Sequence, residues 1–291
     1  MTAVAVIAHK GKNLDGGLPA LRKALADRGV RDPQWREVEK SREAPAEVKR
    51  ALKDGAELIF AWGGDGMVQR CVDALAKSKT KLAIVPAGTA NLLAKNLGIP
   101  HHIAGAVDVG LNGKPRKFDV GHMNGERWAV MAGVGFDANV IRAADQHMKH
   151  VFGRMAYVWA AAKNLRMDPF EARVDVDGRR FYKGPATLIL FGNVGRAFGG
   201  LELFEDAKAD DGLLEVGVAD AEGIMQWGKT IARKHVANSP FVHMTKARSV
   251  EVKLQRKIRY EVDGSERTKE KAFSVQVEPA GITICVPAVT S

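Results

Sequence analysis

Short apolar runs and amphipathic stretches alternate along the first third of the chain. Residues 4–8, 58–62 and 82–85 are continuous apolar segments rich in β-branched side chains, the pattern of strands buried on both faces. Between them Leu18, Leu21 and Leu25 recur on one helical face that Gly29 can close. Pro45 suits a first helical turn, Val48 and Leu52 continue the stripe, and Gly55 ends it. Val68, Val72 and Leu75 mark a third helix, residues 92–97 a fourth that Gly98 can close, and residues 37–40 a further short strand. Repeated βα units of this kind predict a parallel sheet with helices on both faces.

From about Lys117 the pattern changes to short strands divided by polar turns. Strands are expected over residues 118–122, 127–131, 172–176, 186–191, 213–219, 249–254, 259–262, 273–277 and 281–286, with Asp177-Gly178 and Asp263-Gly264 as turns. Helices are expected near residues 138–165 and 221–234. The resulting fold class is α/β plus β-rich: a parallel-sheet α/β domain over residues 1–122, then an antiparallel β-sandwich-like domain over residues 123–291 whose C-terminal end can return to the first. A length of 291 residues accommodates two domains of about 100–200 residues each.

The formal net charge of +10 favours polyanionic partners: an anionic membrane surface, phosphorylated substrates or nucleic acid. No nucleic-acid recognition motif accompanies the charge, so nucleic acid is not an expected partner. Cys71 and Cys285 lie far apart and form no metal or redox spacing, which fits a reducing compartment. The start of the chain reads as a strand rather than a signal peptide, and no stretch approaches the roughly 20 apolar residues of a membrane span. The expectation is a cytoplasmic protein that meets membranes only peripherally. His101, His102, His235 and His243 have no partners at metal-ligand spacing.

Two glycine loops carry the chemistry. Gly63-Gly64-Asp65-Gly66 follows a buried strand and opens a helix. Glycine lets backbone N–H groups approach a phosphate, and the helix N-terminus adds positive potential. A carboxylate within a phosphate cradle makes sense if Asp65 positions a magnesium ion, or if it caps the helix. The second loop, Pro86-Ala87-Gly88-Thr89-Ala90-Asn91, follows the next strand and also opens a helix, so both loops belong at the carboxyl edge of the sheet. Thr89 can cap that helix or offer a hydroxyl to a phosphate. Neither loop is a Walker A sequence or a dinucleotide-binding fingerprint.

With these loops the chain resembles the lipid kinase superfamily of diacylglycerol, sphingosine and ceramide kinases, and in particular its bacterial diacylglycerol kinase catalytic family. The resemblance continues through Gly133-Val134-Gly135-Phe136-Asp137-Ala138, Gly192-Asn193, Asp210-Asp211-Gly212-Leu213 and Val262-Asp263-Gly264, in order along nearly the whole chain. It implies an N-terminal nucleotide domain, a β-rich lipid-substrate domain and an active site in the cleft between them. It also implies transfer of the γ-phosphate of ATP to a lipid hydroxyl such as that of diacylglycerol. ATP and magnesium are the implied cofactors. Ser41, Gly63, Gly64, Asp65, Gly66, Gly88, Thr89 and Asn91 would surround the nucleotide. A structural magnesium would take the carboxylate of Asp211 and the carbonyls of Lys208 and Leu213. Asp263 or Glu266 would accept the proton of the lipid hydroxyl.

The sequence departs from the family pattern at three places. Met67 stands where the first loop usually has Thr, Gln69-Arg70 replace a common Asn-Glu pair, and Ser265 replaces the Glu of the Asp-Gly-Glu turn, with Glu266 one place later. On a strand one step reverses the direction of a side chain, whereas a turn relaxes that rule. Arg70 either faces phosphate or solvent. Val151, Phe152, Met155, Val158, Trp159 and Ala162 form a helical stripe flanked by Lys149 and Arg154, which suits either a membrane contact or core packing. A sphingoid or other phospholipid acceptor, and a nucleotide- or lipid-binding homologue with impaired turnover, are the alternatives. The oligomeric state, a homodimer included, is left open by the sequence.

Overall fold

The computed structural model describes residues 2–135, 169–197, 201–204, 206–220 and 239–288. The chain divides into two units, one of Met1–Val120, Glu126–Ala129 and Glu278–Ser291, the other of Gly121–Gly125 and Val130–Val277. The helices expected near residues 138–165 and 221–234, with the amphipathic stripe of the first, lie outside the described residues.

The first unit alternates β1 (Val4–His9), α1 (Gly17–Ala26), β2 (Gln34–Val38), α2 (Ala44–Lys53), β3 (Leu58–Gly63), α3 (Asp65–Leu75), β4 (Lys81–Pro86), α4 (Leu92–Asn96) and α5 (Ile103–Asn112). The four strands pair parallel in the order β2-β1-β3-β4. Val6, Ile7, Phe60, Trp62, Leu82 and Ile84 are buried, as continuous apolar runs covered on both faces should be. Helix α5 lies directly on the sheet because Gly110 has no side chain: a Cβ there would sit 2.3 Å from the Phe60 ring and 2.8 Å from Ala83. Because the chain leaves β1 towards β2 on one side and β3 lies on the other, the sheet order reverses between β1 and β3. A crevice at the carboxyl ends of such strands is where open α/β sheets bind ligands.

The chain continues through β5 (Lys114–Met123), β6 (Glu126–Trp128), β7 (Met131–Val134), β8 (Phe170–Val176), β9 (Arg179–Ala186), β10 (Leu188–Gly192), β11 (Arg196–Ala197), β12 (Leu201–Glu202), β13 (Leu214–Ala219), β14 (Val242–Ala247), β15 (Ser249–Val262) and β16 (Ser265–Val286). In the second unit the strands pair antiparallel in the order β14-β13-β10-β7-β15-β16, and β8 joins β15 to β9. Burial alternates along β8, with Phe170, Ala172 and Val174 inside. The far end of β16 returns to the first unit and adds a parallel strand beside β4, with Thr283 opposite Lys81.

Several expected strands are redrawn for identifiable reasons. The strand expected over residues 127–131 is two, β6 and β7, interrupted at Ala129 and Val130. The amides of Val130 and Met131 both donate to Asp263 Oδ1, each at 2.9 Å, instead of continuing a ladder. Residues 249–254 and 259–262 form the single strand β15, with an irregularity between Lys253 and Ile258. Residues 273–277 and 281–286 both belong to β16, which passes through a left-handed residue, Ala280 (φ +50°). Its amide donates to the buried Asp119 Oδ1 at 2.7 Å. Strands β9 and β14 have no counterpart among the expected elements. Both are edge strands, and the Gly184-Pro185 pair that argues against a strand is tolerated at an edge.

Candidate active site

Strand β3 ends at Gly63 and α3 begins at Asp65, while β4 ends at Pro86 and the second loop leads to α4. Adjacent parallel strands bring both loops to one sheet edge, and here they touch backbone to backbone. A Cβ on Gly88 would lie 2.4 Å from Gly64 Cα and 2.7 Å from Asn91 Oδ1, so no side chain fits without separating the loops. Asp65 fastens them. Its Oδ2 accepts the Asn91 amide at 2.9 Å and its Oδ1 accepts the Leu92 amide. Burial pushes the Asp65 carboxyl above its ordinary pKa, partly offset by the amides of Leu92 and Asn91.

Asn91 braces the second loop from inside. It is buried and left-handed (φ +49°), a conformation that Asn tolerates better than most residues. Its Oδ1 accepts the Gly88 amide at 3.0 Å, and its Nδ2 donates to the carbonyls of Gly88 at 2.7 Å and Pro86 at 3.3 Å. The cap of α4 is therefore supplied by Asp65 from the first loop. Thr89, a capping candidate by its place in the loop, stands exposed. Ser41 begins a short 3₁₀ turn, Ser41–Glu43, that packs beside α3.

The departures in α3 are accounted for locally. Met67 is 1% exposed, and its side chain fills the space beneath Gly63, so this position faces the interior. Arg70 pairs with Glu126 at 2.8 Å, and so faces neither phosphate nor open solvent. Gln69 Nε2 donates to the Arg127 carbonyl at 2.7 Å and to Glu126 Oε1 at 3.2 Å. Asp73 accepts the Arg127 amide at 3.1 Å, and the Arg127 guanidinium makes a two-point pair with Glu278, at 2.8 and 3.1 Å. Lys77 adds a second cation 3.2 Å from Glu278. Burial alone would push the Glu278 carboxyl up, but Arg127 and Lys77 together hold it below the ordinary carboxylate value. This network fixes β6 on the helix that carries the first glycine loop.

In the second unit, Asp263 (φ +44°) and Gly264 (φ +73°) form a two-residue hairpin turn that requires left-handed backbone at both positions. The buried Asp263 holds the corner through the Val130 and Met131 amides and also donates its own amide to the Met131 carbonyl at 2.9 Å. Val262 lies opposite Ser265, and Glu261 opposite Glu266. The strand rule therefore applies at once after the turn: Ser265 shares the face of Val262, and Glu266 shares the other with Glu261. Glu266 is held by the Arg259 guanidinium. Two further carboxylates, Asp119 and Glu261, are buried. Both sit in strands whose alternation reads as ordinary, so only the burial marks them.

The turn at Asp210-Asp211-Gly212 closes on itself, with Asp211 Oδ1 accepting the Leu213 amide at 3.0 Å. Beside it lies an ammonium. Lys246 Nζ is 2.8 Å from Glu215 Oε1, donates to the Asp206 carbonyl at 3.0 Å, and is 3.7 Å from Asp211 Oδ2. Glu215 foremost holds the lysine above its ordinary pKa. A magnesium ion requires near-octahedral oxygen coordination at about 2.0–2.1 Å. Among the described residues no group of three or more His, Cys, Asp or Glu could hold a metal ion. The donor set expected for a structural magnesium, Asp211 with the carbonyls of Lys208 and Leu213, does not fit that ion, because a cation already occupies its acidic side. Asp65 is different: its two oxygens accept the amides of Asn91, Leu92 and residue 65 itself, which leaves acceptor capacity for one metal-bound water.

Residues 5–123 match the diacylglycerol kinase catalytic domain, and residues 130–286 match the YegS C-terminal NAD kinase beta sandwich-like domain. A diacylglycerol kinase of Staphylococcus haemolyticus is 30% identical over 257 residues, covering 86% of this chain and 77% of that protein. One from Staphylococcus epidermidis is 29% identical over 247 residues, covering 83% and 78%. The crystal structure of a diacylglycerol kinase from Bacillus anthracis shares the fold with a TM-score of 0.78 at 21% identity, over 99% of this chain and 98% of that one. That of an NAD kinase from Archaeoglobus fulgidus in complex with ATP shares it more distantly, at 0.55 and 12%, over 97% and 93%. Two domain matches that follow one another along the chain, with a relative 30% identical over most of its length, lead to one conclusion: the chain belongs to the diacylglycerol kinase family of lipid kinases, phosphotransferases with an alcohol group as acceptor.

Proposed function

We propose that this chain transfers the γ-phosphate of ATP to the hydroxyl of diacylglycerol at a membrane surface, with magnesium bound to the nucleotide. Family membership supports ATP as donor and a lipid as acceptor, and the names of the relatives point to diacylglycerol. The observation that carries the reading is the double hydrogen bond of Asp65 to the second loop, which makes two flexible glycine segments one rigid platform. Phosphoryl transfer rests mainly on positioning and charge neutralisation, so a platform of this kind is what the reaction demands.

The amides of residues 63–66, at the N-terminus of the eleven-residue helix α3, bind the phosphates. The exposed Thr89 donates its hydroxyl to the same group, and Ser41 borders the nucleotide. When bound, magnesium neutralises charge on the phosphate oxygens. Asp65, which holds the two loops together, would receive a water of that ion. Asp263, which builds the corner of the second unit by accepting the Val130 and Met131 amides, accepts the proton of the lipid hydroxyl; Glu266 points to the face opposite residue 265 and pairs with Arg259. The lipid is met from the membrane surface: no helix among the described residues is long and apolar enough to cross a bilayer, and a net charge of +10 draws the chain to anionic headgroups.

The test is a panel of diacylglycerol, ceramide, a sphingoid base and a monoacylglycerol, each presented in anionic vesicles with radiolabelled ATP and magnesium. The reading expects labelled phosphatidic acid to dominate. Labelling of another lipid with diacylglycerol left untouched would reassign the acceptor.

A further inference from the structure

Lys246 lies on an edge strand, where a lysine ordinarily extends into solvent. Here its side chain turns back over the 206–215 segment. Glu215 stands directly opposite it in the β13–β14 register, and the side chain of Glu215 is 11% exposed. Besides that carboxylate, the ammonium meets the Asp206 main-chain oxygen and faces Asp211 Oδ2, so three oxygens from three positions converge on one positive charge. An ammonium has three N–H donors: here two bond Glu215 and the Asp206 oxygen, while Asp211 at 3.7 Å is drawn by charge alone. A divalent ion drawing on the same carboxylate would meet a like charge within a few ångströms.

We propose that Lys246 is the resident cation of this turn, taking the part that the family resemblance gives to a structural magnesium. The 206–215 segment then holds its conformation without a divalent metal, and any magnesium requirement of the chain arises with the nucleotide alone. The inference is independent of the acceptor lipid and of the proton acceptor proposed above.

The test uses the full chain without nucleotide, in excess EDTA or in magnesium, and reads amide hydrogen exchange over residues 211–219 together with the unfolding temperature. The wild type is expected to give the same protection and the same temperature in both solutions. Lys246→Met removes the charge at similar volume. Its exchange in EDTA should be at least about tenfold faster over this segment, as expected when a charged hydrogen-bonded group is lost. Magnesium should restore part of that protection, since the two carboxylates then lack a counter-charge. Lys246→Arg should behave as the wild type. Wild-type protection that is lost in EDTA and regained with magnesium would overturn the proposal. So would a folded Lys246→Met protein whose exchange equals that of the wild type. If Lys246→Met fails to fold, the wild-type comparison and the arginine variant still decide the matter.

Discussion

Asp65, Asp263 and Glu278 show how the surroundings of a carboxylate set its work. Asp65 is half-buried, binds two amides of another loop and carries a raised pKa. Asp263 is buried and gives one oxygen to the amides of Val130 and Met131. Replacing it by Asn keeps an acceptor oxygen for both amides and removes the basicity. Asp263→Asn should lower kcat by about 10²–10⁴-fold, the usual contribution of a general base, with ATP affinity unchanged by calorimetry. Glu266→Gln should leave kcat near the wild-type value, because residue 266 faces the side of the strand opposite residue 265. Glu278 serves stability instead. Its pKa is lowered in the folded chain, so its ion pairs with Arg127 and Lys77 stabilise above the unfolded carboxylate pKa. That contribution is lost as the pH falls through the folded value. Thermal unfolding against pH should show Glu278→Gln less stable than the wild type at neutral pH, with the difference closing in acid. A constant difference across that range would remove the charge from the explanation.

At the scale of elements, the two glycine loops depend on backbone contact that no side chain can share. Gly88→Ala places a Cβ against Gly64 Cα, and neither partner is a flexible side-chain end. The loops must part, the Asp65 hydrogen bonds must lengthen, and ATP affinity should fall at least about tenfold, the equivalent of roughly 1.4 kcal/mol. An affinity equal to that of the wild type would show that the loops bind the nucleotide independently. The strands that build this edge are legible in the sequence, because β1, β3 and β4 each contain a continuous apolar run, residues 4–8, 58–62 and 82–85, with glycine or proline close behind. The helix ends are legible too: Gly29, Gly55 and Gly98 are all left-handed where they close α1, α2 and α4. The contact between Asp65 and the amides of Asn91 and Leu92 is not legible. It spans 26 and 27 residues, and loop sequence reports which groups can donate but not which acceptor reaches them. The break between β6 and β7 is hidden for the same reason, since Asp263, more than 130 residues later, takes the two amides. Lys246 reads as an ordinary edge lysine until Glu215 is seen opposite it.

The whole molecule combines a parallel α/β unit, an antiparallel unit and a C-terminal segment that returns to the first, as the family matches over residues 5–123 and 130–286 describe. In the proposed reaction the substrates differ in kind, a highly charged nucleotide and a lipid. A net charge of +10 suits that pairing, since phosphates and anionic headgroups attract basic residues. The most direct measurement is the initial rate of labelled phosphate transfer from ATP to diacylglycerol in anionic vesicles, for the wild type and Asp65→Asn, with ATP varied. An Asn at residue 65 offers one acceptor oxygen where two amides must be met, so one amide loses its partner. The account predicts phosphatidic acid from the wild type and a raised KM for ATP in the variant. Equal kinetics from both proteins, or no labelled diacylglycerol product from a wild type that binds ATP, would contradict it.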